Sequence, residues 1–296
     1  MRVGESLRTV TKELSDAGVA TPRLDAELLL AHCMSVERDR LSLMHDEMLT
    51  EPQLEKLSEL TSRRISREPV QYIIGHREFW SIGLAMSPGV LIPRPETETL
   101  VEAAMVHLTK ERINARGGSV STILDIGTGS GAIAIAIATE LKGKCRIIAT
   151  DISPEAVRAA RANSARENLT DSIFLIRCDM AEPLSLKSLG GNVDLIVSNP
   201  PYISSEELKH LQPEVRDYEP SIALYGGPDG LDYYPRLMQL AAAFLAPNAA
   251  LIFEIAPDMP PNITAIWHAH SATLTEPIFI PDLSGHPRAA LIKRLP

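Results

Sequence analysis

The sequence predicts an α/β fold in which a parallel β-sheet is covered by helices on both faces, preceded by a small helical domain. Apolar residues recur at helical spacing over residues 1–75, and short segments rich in β-branched and aromatic residues fill residues 76–92. From residue 122, strand-like and helix-like segments alternate, which is typical of a parallel sheet. We therefore expect a helical domain over 1–75, a β-hairpin linker over 76–92 and an α/β domain over 93–296.

The composition indicates a soluble globular protein and excludes several classes. The chain has 296 residues, of which 45% are hydrophobic and 23% charged, and its length favours two domains. A formal charge of −9 argues against a broad phosphate-binding surface. Three widely spaced cysteines are typical of a reducing compartment, and neither cysteine nor histidine spacing predicts a metal site. Without a signal-peptide pattern or a run of about 18 apolar residues, we expect a cytoplasmic protein that does not enter a membrane.

The first 75 residues predict three helices. In SLRTVTKELSDAG, Leu7, Val10 and Leu14 share one helical face, and Gly18 is a terminator. The segments TPRLDAELLLAHCM and TEPQLEKLSELTSRRIS both open with a threonine and an early proline, as helix starts often do. A cluster of arginines late in the third helix is interpreted as a solvated helix face, with a partner contact as the alternative: Arg63, Arg64 and Arg67.

The next segments predict extended chain followed by a helix. VQYIIG, EFWSIGLAM and GVLI are short, rich in β-branched and aromatic residues, and separated by Gly75, Gly83 and Gly89. We interpret them as the hairpin region that links the two domains. PRPETETLVEAAMVHLTK then starts a helix, with acidic Glu96 and Glu98 in its first turn; favourable interaction with the helix dipole explains them, and a role in a site is the alternative.

The remaining segments predict the sheet and its helices. TILDIG, CRIIATD, SIFLIRCD and VDLIVSN are strand-like, and GAIAIAIATEL and SPEAVRAARANSARENL between them are helical. Further on, DYYPRLMQLAAAFL predicts a helix and AALIFEIA a strand. ATLTEPIFI and RAALIKRL predict two closing strands. Residues at the carboxyl ends of such strands are where open α/β sheets bind ligands.

A glycine-rich turn follows the first strand of the sheet. Gly127, Gly129 and Gly131 are spaced G-x-G-x-G, which lets the chain turn sharply and lets a ligand approach the backbone. The spacing is one residue shorter than the dinucleotide fingerprint G-x-G-x-x-G, so a pyrophosphate cradle fits less well. A nucleoside ligand without phosphates fits better, and S-adenosylmethionine is the usual one. A turn that serves packing alone is the alternative.

Carboxylates stand at the strand ends beside this turn. Asp151 ends the second strand, where it can accept hydrogen bonds from both ribose hydroxyls, and Asp179 ends the third, near an adenine. Asp125 precedes the turn and can pair, directly or through water, with the methionyl ammonium. The predicted donor-binding residues are Asp125, Gly127, Thr128, Gly129, Ser130, Gly131, Asp151, Ile152, Asp179, Met180 and Asn199.

The motif Asn-Pro-Pro-Tyr ends the fourth strand. Asn199 and Pro200 each precede a proline, which favours extended geometry and gives the chain a rigid corner. The side-chain oxygen of Asn199 and the carbonyl of Pro200 can act together as acceptors for a planar –NH2 group, with Tyr202 beside it. Pro201 completes the corner. The alternative is a structural Asn-Pro turn.

NPPY resembles the motif of methyltransferases that alkylate a nitrogen conjugated to a planar system. Together with PVQYIIG, LIPRPETETLVE, LDIGTGSGAIAIAIA and EPSIALYGGPDGLDYYPRL, it resembles the HemK/PrmC family of release factor glutamine N5-methyltransferases over nearly the whole chain. The resemblance implies a Rossmann-like S-adenosylmethionine-dependent methyltransferase domain with an N-terminal helical domain that docks the substrate. It also implies that class 1 peptide chain release factors are the partners and that the Gln of their Gly-Gly-Gln motif is methylated.

Some site positions match the family and others differ from it. The turn at residues 127–131 and Asp151 would bind the donor, and residues 199–202 would bind the Gln amide, with Asn199, Pro200 and Tyr202 catalytic. Met180 stands where the family commonly has a tryptophan that covers the adenine. FEIAPDM also departs from the family at a late strand, so no role is transferred there.

Two other functions share these motifs. An adenine-N6 methyltransferase acting on DNA or RNA would also use NPPY, but it needs a basic groove that this acidic chain does not predict. A module that binds S-adenosylmethionine or NAD without transferring a methyl group would not need an intact NPPY corner. We therefore expect methyl transfer to a protein glutamine, without a nucleic acid substrate and without a metal.

Overall fold

The structure, a computed structural model, describes residues 1–108, 120–142, 144–182 and 184–296. The chain forms two compact units. A helical unit contains Met1–His76 together with Gln212–Tyr218, and an α/β unit contains Arg77–Leu211 and Glu219–Pro296. The hairpin that the sequence predicts as a linker is thus grouped with the α/β unit. None of the helices in the described residues is long and apolar enough to cross a membrane.

The helical unit confirms the three predicted helices and adds a fourth. Thr50 caps the third helix through a reciprocal capping box with Gln53, and Pro22 occupies the first position of the second. Buried leucines and valines from the three helices form one apolar cluster. The helices are α1 (Val3–Asp16), α2 (Pro22–Met34), α3 (Glu51–Ile65) and α4 (Val70–Ile74).

Helix α4 corrects the prediction of extended chain for VQYIIG. Gly75 closes it in the left-handed conformation, with φ of 70°, which glycine adopts without steric cost. Val70, Tyr72 and Ile73 are buried. Burial of these side chains outweighs their preference for strands, because β-propensity is largely a preference for a packed surface.

The arginine cluster is also corrected. Arg64 is only 5% exposed, and its guanidinium donates to Asp25 at 2.7 Å and to Glu214 at 2.8 Å. Arg67 donates to the other oxygen of Glu214 at 2.6 Å. The interpretation as a solvated helix face was therefore wrong for Arg64, which forms a buried ion-pair network. This network holds the short helix Pro213–Arg216 within the helical unit.

The α/β unit is built on a seven-stranded sheet in the described residues, with strand order β5-β4-β3-β6-β7-β9-β8. A separate two-stranded hairpin, β1-β2, confirms that extended segments occur in residues 76–92. The strands are β1 (His76–Phe79), β2 (Ile82–Ala85), β3 (Ser121–Ile126), β4 (Cys145–Asp151), β5 (Ile173–Arg177), β6 (Val193–Ser198), β7 (Leu245–Glu254), β8 (Ile278–Pro281) and β9 (Pro287–Lys293).

The sheet is mixed rather than parallel throughout. Strands β5, β4, β3, β6 and β7 are parallel, as predicted, whereas β9 pairs antiparallel with both β7 and β8. The two closing strands predicted from sequence are present. β8 and β9 run antiparallel to each other because the turn between them is too short for a crossover helix.

Helices complete the α/β unit. The predicted helices after β3 and β4 and before β7 are present, and the helix Pro260–His268 was not predicted. Their apolar faces and the sheet bury one large cluster that includes Tyr234 and Phe253. The helices are α5 (Glu98–His107), α6 (Ala132–Leu141), α7 (Pro154–Arg166), α8 (Leu186–Leu189), α9 (Pro213–Arg216, in the helical unit), α10 (Tyr233–Phe244) and α11 (Pro260–His268).

The strand order creates a crevice between β3 and β6. The chain moves outward from β3 through β4 to β5, then returns to place β6 on the other side of β3. Open α/β sheets bind ligands at the carboxyl ends of the strands on either side of such a reversal. The glycine turn follows β3 and the NPPY corner follows β6, so both motifs lie at this crevice.

Candidate active site

The glycine turn is held against the end of β4. The backbone N–H groups of Gly127 and Thr128 both donate to the carbonyl of Thr150 at 2.9 Å. Gly127, Gly129 and Gly131 have φ of 72°, 58° and 85°, a backbone region that residues with a side chain rarely adopt. A Cβ on Gly129 would meet nothing within 4 Å, whereas one on Gly131 would lie 3.2 Å from the Cβ of Ala160. Gly129 thus faces open space, and Gly131 lets α6 and α7 pack closely.

Asp151 fixes this turn with both oxygens. Its Oδ2 accepts a hydrogen bond from the N–H of Gly129 and its Oδ1 one from the N–H of Ser153, each at 2.9 Å. Each oxygen retains a second lone pair. Burial raises the pKa of Asp151, and the hydrogen bonds from Ser153 and Gly129 oppose that shift. Asp151 therefore presents two preoriented acceptors, and its predicted binding of a ribose diol stays a prediction.

Asp125 lies beneath the turn. Its side chain is fully buried, its Oδ2 accepts from the hydroxyl of Thr128 at 2.6 Å, and its Oδ1 has no hydrogen-bond partner among the described residues. Burial raises its pKa to about 7, against the hydrogen bond from Thr128. Asp125 does not line the cavity described below, so its predicted pairing with the ammonium group stays a prediction.

The next strand ends supply a different set of contacts. Asp179 accepts a hydrogen bond from the Nη2 of Arg236 at 2.7 Å, so its carboxylate is partly committed to that ion pair. Met180 has φ of 48°, is 8% exposed, and accepts on its carbonyl the hydroxyl of Thr150. Ile152 is 46% exposed. These residues place apolar surface and one carboxylate where the sequence predicts the adenine.

The NPPY corner follows β6 and is anchored from beneath. The Nδ2 of Asn199 donates to the hydroxyl of Thr97 at 3.3 Å, and Thr97 donates to Oε2 of Glu254 at 2.7 Å. The hydroxyl of Tyr202 donates to Oε1 of the same carboxylate at 3.1 Å. Burial raises the pKa of Glu254, and the hydrogen bonds from Thr97 and Tyr202 oppose the shift. Asn199 and Tyr202 are therefore tied to one buried acid.

Two glycines let another loop press on this corner. A Cβ on Gly226 would lie 2.6 Å from the carbonyl oxygen of Pro201 and 2.7 Å from the Cα of Tyr202. A Cβ on Gly230 would lie within van der Waals radii of the carbonyl of Tyr202. The N–H of Ile203 donates to the carbonyl of Leu224 at 2.9 Å. The segment YGGPDG thus packs directly against the NPPY corner. The sequence analysis cited this segment only as part of the family resemblance and predicted no structural role for it.

These elements enclose a cavity of about 830 Å³, a volume that includes the solvent at its mouth. Predicted residues lining it are Gly127, Gly129, Asp151, Ile152, Asp179, Met180, Asn199, Pro200 and Pro201. Predicted residues outside its lining are Asp125, Thr128, Ser130, Gly131 and Tyr202, of which Thr128, Ser130 and Gly131 shape the turn.

The sequence analysis missed several lining residues. Four of them lie at the ends of β3 and β6 or at the start of α7: Ile126, Ser198, Ser153 and Ala156. The others come from the connection after the hairpin and from the stretch EPSIALYGGPDGLDYYPRL: Gly89, Val90, Leu91, Pro220, Ile222, Ala223 and Tyr233. Neither of these two segments ends a parallel strand, which is why the strand-end rule did not identify the residues that they contribute. Glu254 does end a strand, at β7, and that position was the signal that could have identified it.

The cavity fits S-adenosylmethionine. Gly129 leaves open space, Asp151 supplies two acceptors, and Ile152 and Met180 offer apolar surface for an adenine ring. No group of three or more His, Cys, Asp or Glu side chains in the described parts of the chain could hold a metal ion. The site therefore combines a place for a sulfonium donor with a rigid asparagine corner, all on one unit.

A cavity at the carboxyl ends of parallel strands, lined by both a glycine turn and an NPPY corner, is the arrangement that the sequence predicts for transfer of a methyl group onto nitrogen. The fold and the site define an S-adenosylmethionine-dependent methyltransferase. Comparison with known proteins narrows this class: residues 5–75 match the PrmC N-terminal domain family, and residues 118–230 match a methyltransferase domain family.

Two curated relatives extend these matches over the whole chain. The release factor glutamine methyltransferase of Bradyrhizobium diazoefficiens is 37% identical over 98% of this chain and 94% of its own. That of Moorella thermoacetica is 38% identical over 99% of each. The chain therefore belongs to the release factor glutamine methyltransferase family. A methyltransferase structure from Pyrococcus furiosus, 17% identical with a TM-score of 0.51, covers 80% of this chain and 98% of its own, and shows the same fold.

Proposed function

We propose that this enzyme transfers the methyl group of S-adenosylmethionine to the side-chain amide nitrogen, N5, of the Gln in the Gly-Gly-Gln motif of class 1 peptide chain release factors. The observation that carries the proposal is that Asn199, Pro200 and Pro201 line the same cavity as Gly129 and Asp151. This shared lining supports the proposal, because a nitrogen held by the corner would lie next to a donor bound at the glycine turn. Family membership supports a release factor as the protein that supplies this nitrogen.

An amide nitrogen is a weak nucleophile because its lone pair is delocalised into the carbonyl, as the ~18–20 kcal/mol barrier to amide rotation indicates. When bound, S-adenosylmethionine supplies an electrophilic sulfonium methyl. The chain's own part is to hold the amide with acceptors on its N–H groups, which fixes the plane of the amide and the direction of its nitrogen lone pair. Proximity and orientation of this kind can contribute roughly 7–11 kcal/mol.

Charge develops on the amide nitrogen as the new bond to carbon forms. The side-chain oxygen of Asn199, and the carbonyl of Pro200 as second acceptor, would stabilise that positive charge through the N–H groups they hold. The carbon–sulfur bond breaks, the nitrogen–carbon bond forms, and one N–H proton leaves the cationic amide. That cation is strongly acidic and can release its proton to water, so no dedicated base is required.

A protein substrate fits this chain better than nucleic acid. The fold alone does not decide, because the two acceptors would suit the exocyclic amine of adenine as well. The chain carries a formal charge of −9, and duplex DNA binding depends on neutralising phosphates. Arg64 and Arg67, in the arginine cluster, are committed to carboxylates within the helical unit. A release factor needs contact area rather than positive charge, and a helical unit can provide it.

The test is a labelling experiment. The purified enzyme would be incubated with methyl-labelled donor and a class 1 release factor, and the Gly-Gly-Gln peptide analysed by mass spectrometry. We expect one methyl group on the Gln amide, and no label on a factor carrying Gln→Ala at that position. DNA and RNA at moderate salt should remain unlabelled. Labelled nucleic acid, or an equally labelled Gln→Ala factor, would overturn the proposal.

The proposed substrate also places the reaction in the cytoplasm, where release factors meet the ribosome. Burial raises the pKa of the Cys33 and Cys145 thiols to about 11, so both remain in the unreactive thiol form near neutral pH. Cell fractionation with antibody detection tests this location.

A further inference from the structure

A chain of hydrogen bonds runs beneath the NPPY corner and ends on a buried acid. Glu254 is 1% exposed and Thr97 is 3% exposed, while Asn199 lines the cavity. The links are Asn199 Nδ2 to Thr97 Oγ1 at 3.3 Å and Thr97 Oγ1 to Glu254 Oε2 at 2.7 Å. Thr97 belongs to the short 3₁₀ helix Pro95–Thr97, and Glu254 ends β7. Neither residue lines the cavity itself.

The chemistry of the three groups determines which atom donates and which accepts in each of these hydrogen bonds. An ionised carboxylate only accepts hydrogen bonds, so the single proton of the Thr97 hydroxyl is committed to Glu254. Thr97 can then only accept from Asn199. The amide of Asn199 must therefore turn its Nδ2 toward Thr97, which leaves Oδ1 as the atom on the cavity side. Without such a partner, the two orientations of an asparagine amide are nearly equivalent in shape.

We infer that Glu254 and Thr97 are positioning residues, which orient the Asn199 amide so that its oxygen, and not its NH2 group, meets the substrate nitrogen. A reversed amide would present a donor to an N–H donor, so the hydrogen bond that holds the substrate would be replaced by repulsion. This inference rests on the proposed function and adds a requirement to it. It explains why a buried carboxylate lies under a corner that needs no base.

The charge on Glu254 has support from its surroundings. The hydroxyl of Tyr202 donates to its Oε1 at 3.1 Å, and Arg288 acts electrostatically to favour the ionised form. Glu96 acts in the opposite sense, and Tyr234 donates its hydroxyl to the backbone carbonyl of Glu254 rather than to the carboxylate. Both carboxylate oxygens thus face hydrogen-bond donors, an arrangement that an ionised carboxylate requires.

The first test is a set of threonine variants with release factor as substrate. Thr97→Val keeps the side-chain shape but removes the hydroxyl, so we expect kcat to fall about tenfold or more, the scale set by one misplaced hydrogen bond. Thr97→Ser restores the hydroxyl and should recover most of the activity. Thr99→Val is the matched control, a buried threonine two residues away in α5 and outside this chain of hydrogen bonds, and should leave kcat within about twofold.

The second test is a double-mutant cycle with Asn199→Asp. A carboxylate has acceptors on both sides, so no orientation remains to be chosen. Adding Thr97→Val to Asn199→Asp should therefore cost less than about twofold, whereas the same change costs about tenfold in the native background. An equal cost in both backgrounds would show a general packing role for Thr97 and overturn the inference. A loss of donor affinity in Thr97→Val, measured by titration calorimetry, would overturn it as well.

The third test follows the protonation of Glu254. A protonated Glu254 can donate to Thr97, which frees the threonine proton to reverse the amide, so kcat should fall at acidic pH. Burial raises the pKa of Glu254, so this decline should begin above the ordinary glutamate range. Glu254→Gln should have a lower kcat and lack this acidic decline. An unchanged pH profile would count against the inference, while an inactive wild-type enzyme would instead reject the proposed function.

Discussion

We predict that donor binding is more sensitive to Asp151 than to the other acids of the cavity, because Asp151 both fixes the glycine turn and presents acceptors to the cavity. Its oxygens hold the N–H groups of Gly129 and Ser153 and still offer lone pairs to a ligand. We expect Asp151→Asn to weaken S-adenosylmethionine binding by about 1.5–3 kcal/mol, since hydrogen bonds to a charged group are lost. Titration calorimetry on the folded variant measures this.

Asp179 provides the comparison in the same cavity. Its carboxylate is paired with Arg236 and its side chain is 40% exposed, so solvent and the arginine already satisfy it. Asp179→Asn should weaken donor binding by less than about 1 kcal/mol. Equal losses in the two variants would mean that the cavity responds to charge in general and that Asp151 has no special role.

The buried carboxyl group of Asp125 should make the stability of the folded protein depend on pH. Its folded-state pKa is raised to about 7 because burial disfavours the charge, so the folded protein holds this proton more tightly than the unfolded chain. The stabilisation is complete below the unfolded pKa near 4 and is lost as pH rises through about 7. From pH 5.5 to 7.0, the free energy of unfolding should fall by on the order of 1–2 kcal/mol from this group.

Asp125→Asn isolates that contribution. Whatever its fixed cost, the variant cannot titrate at this position, so its stability relative to wild type should rise between pH 5.5 and 7.0. Urea denaturation at several pH values measures the difference. A difference that stays constant with pH would mean that Asp125 does not titrate in this range.

At the level of single residues, the sequence analysis identified many residues that line the cavity, but it missed the buried residues that support them. Gly129, Asp151, Asn199 and Pro200 were found because strand ends and prolines have local signatures. Thr97 escaped notice because its partner Glu254 is 157 residues away, a pairing that no local pattern encodes. The roles of individual residues in binding and catalysis stay predictions until the variants are measured.

At the scale of elements, helix α7 acts as a connector through one side chain. Asn163 is 1% exposed; its Oδ1 accepts from the N–H of Ala85 at 2.8 Å, and its Nδ2 donates to the carbonyl of Ser130 at 2.9 Å. It thereby ties the end of β2 to the glycine turn. Asn163→Ala would leave these backbone groups without their partner, so we expect a loss of about 2–3 kcal/mol in stability and weaker donor binding.

Thermal unfolding and donor titration test this prediction together. Ser164→Ala is the matched control, because Ser164 is equally buried but its hydroxyl bonds only to carbonyls within its own helix. It should cost less than about 1 kcal/mol and leave donor affinity unchanged. If Asn163→Ala loses stability but keeps full donor affinity, the link to the glycine turn has no functional part.

Gly226 packs against the NPPY corner but does not itself line the cavity. A Cβ on Gly226 would lie 2.6 Å from the carbonyl oxygen of Pro201, closer than side-chain carbons approach backbone oxygen. Gly226→Ala must therefore displace the corner, and we expect turnover to fall about a hundredfold, the scale of a ~1 Å misplacement. Donor binding should change less than turnover, because the glycine turn follows the neighbouring strand β3 and is held independently by Asp151 and Thr150.

Gly285→Ala is a suitable control for that variant. Gly285 also has a positive φ, 83°, but a Cβ there would meet nothing within 4 Å. Radiolabel transfer to release factor at saturating donor measures both variants. Turnover within a few fold of wild type in Gly226→Ala would show that the corner tolerates displacement.

Element types were predictable wherever hydrophobic periodicity was long. The five parallel strands and the helices after β3 and β4 follow this pattern. VQYIIG failed because five residues cannot display a helical period, so burial and Gly75 decided its conformation. The helices Glu207–His210 and Pro213–Arg216 are too short to show a helical period in the sequence. The sequence therefore gave no sign of structure in the segment that precedes the lining residue Ile222.

At the scale of the whole molecule, the buried network around Glu214 shows that the helical unit is not simply the first quarter of the chain. Arg64 and Arg67 hold Glu214 at 2.8 Å and 2.6 Å, and the hydroxyl of Tyr218 donates to the carbonyl of Ser66 at 2.6 Å. Hydrogen bonds to Glu214 lower its pKa against the effect of burial. The sequence predicted two domains from length and pattern, but it could not show this return of the chain, since arginines on a helix are usually solvated.

The last prediction concerns the task of residues 1–76. Every residue that lines the cavity lies beyond residue 88, so a chain beginning at Arg77 should bind S-adenosylmethionine within a few fold of the full chain. Its methylation of intact release factor should fall at least tenfold, because a docking surface of several hundred Å² would be lost. Truncation also deprives Glu214 of Arg64 and Arg67, so Glu214→Gln in the full chain is the control for that effect alone. The variant should be less stable yet keep most of its activity; if it is as inactive as the truncated chain, the arginine network and not a docking surface accounts for the loss.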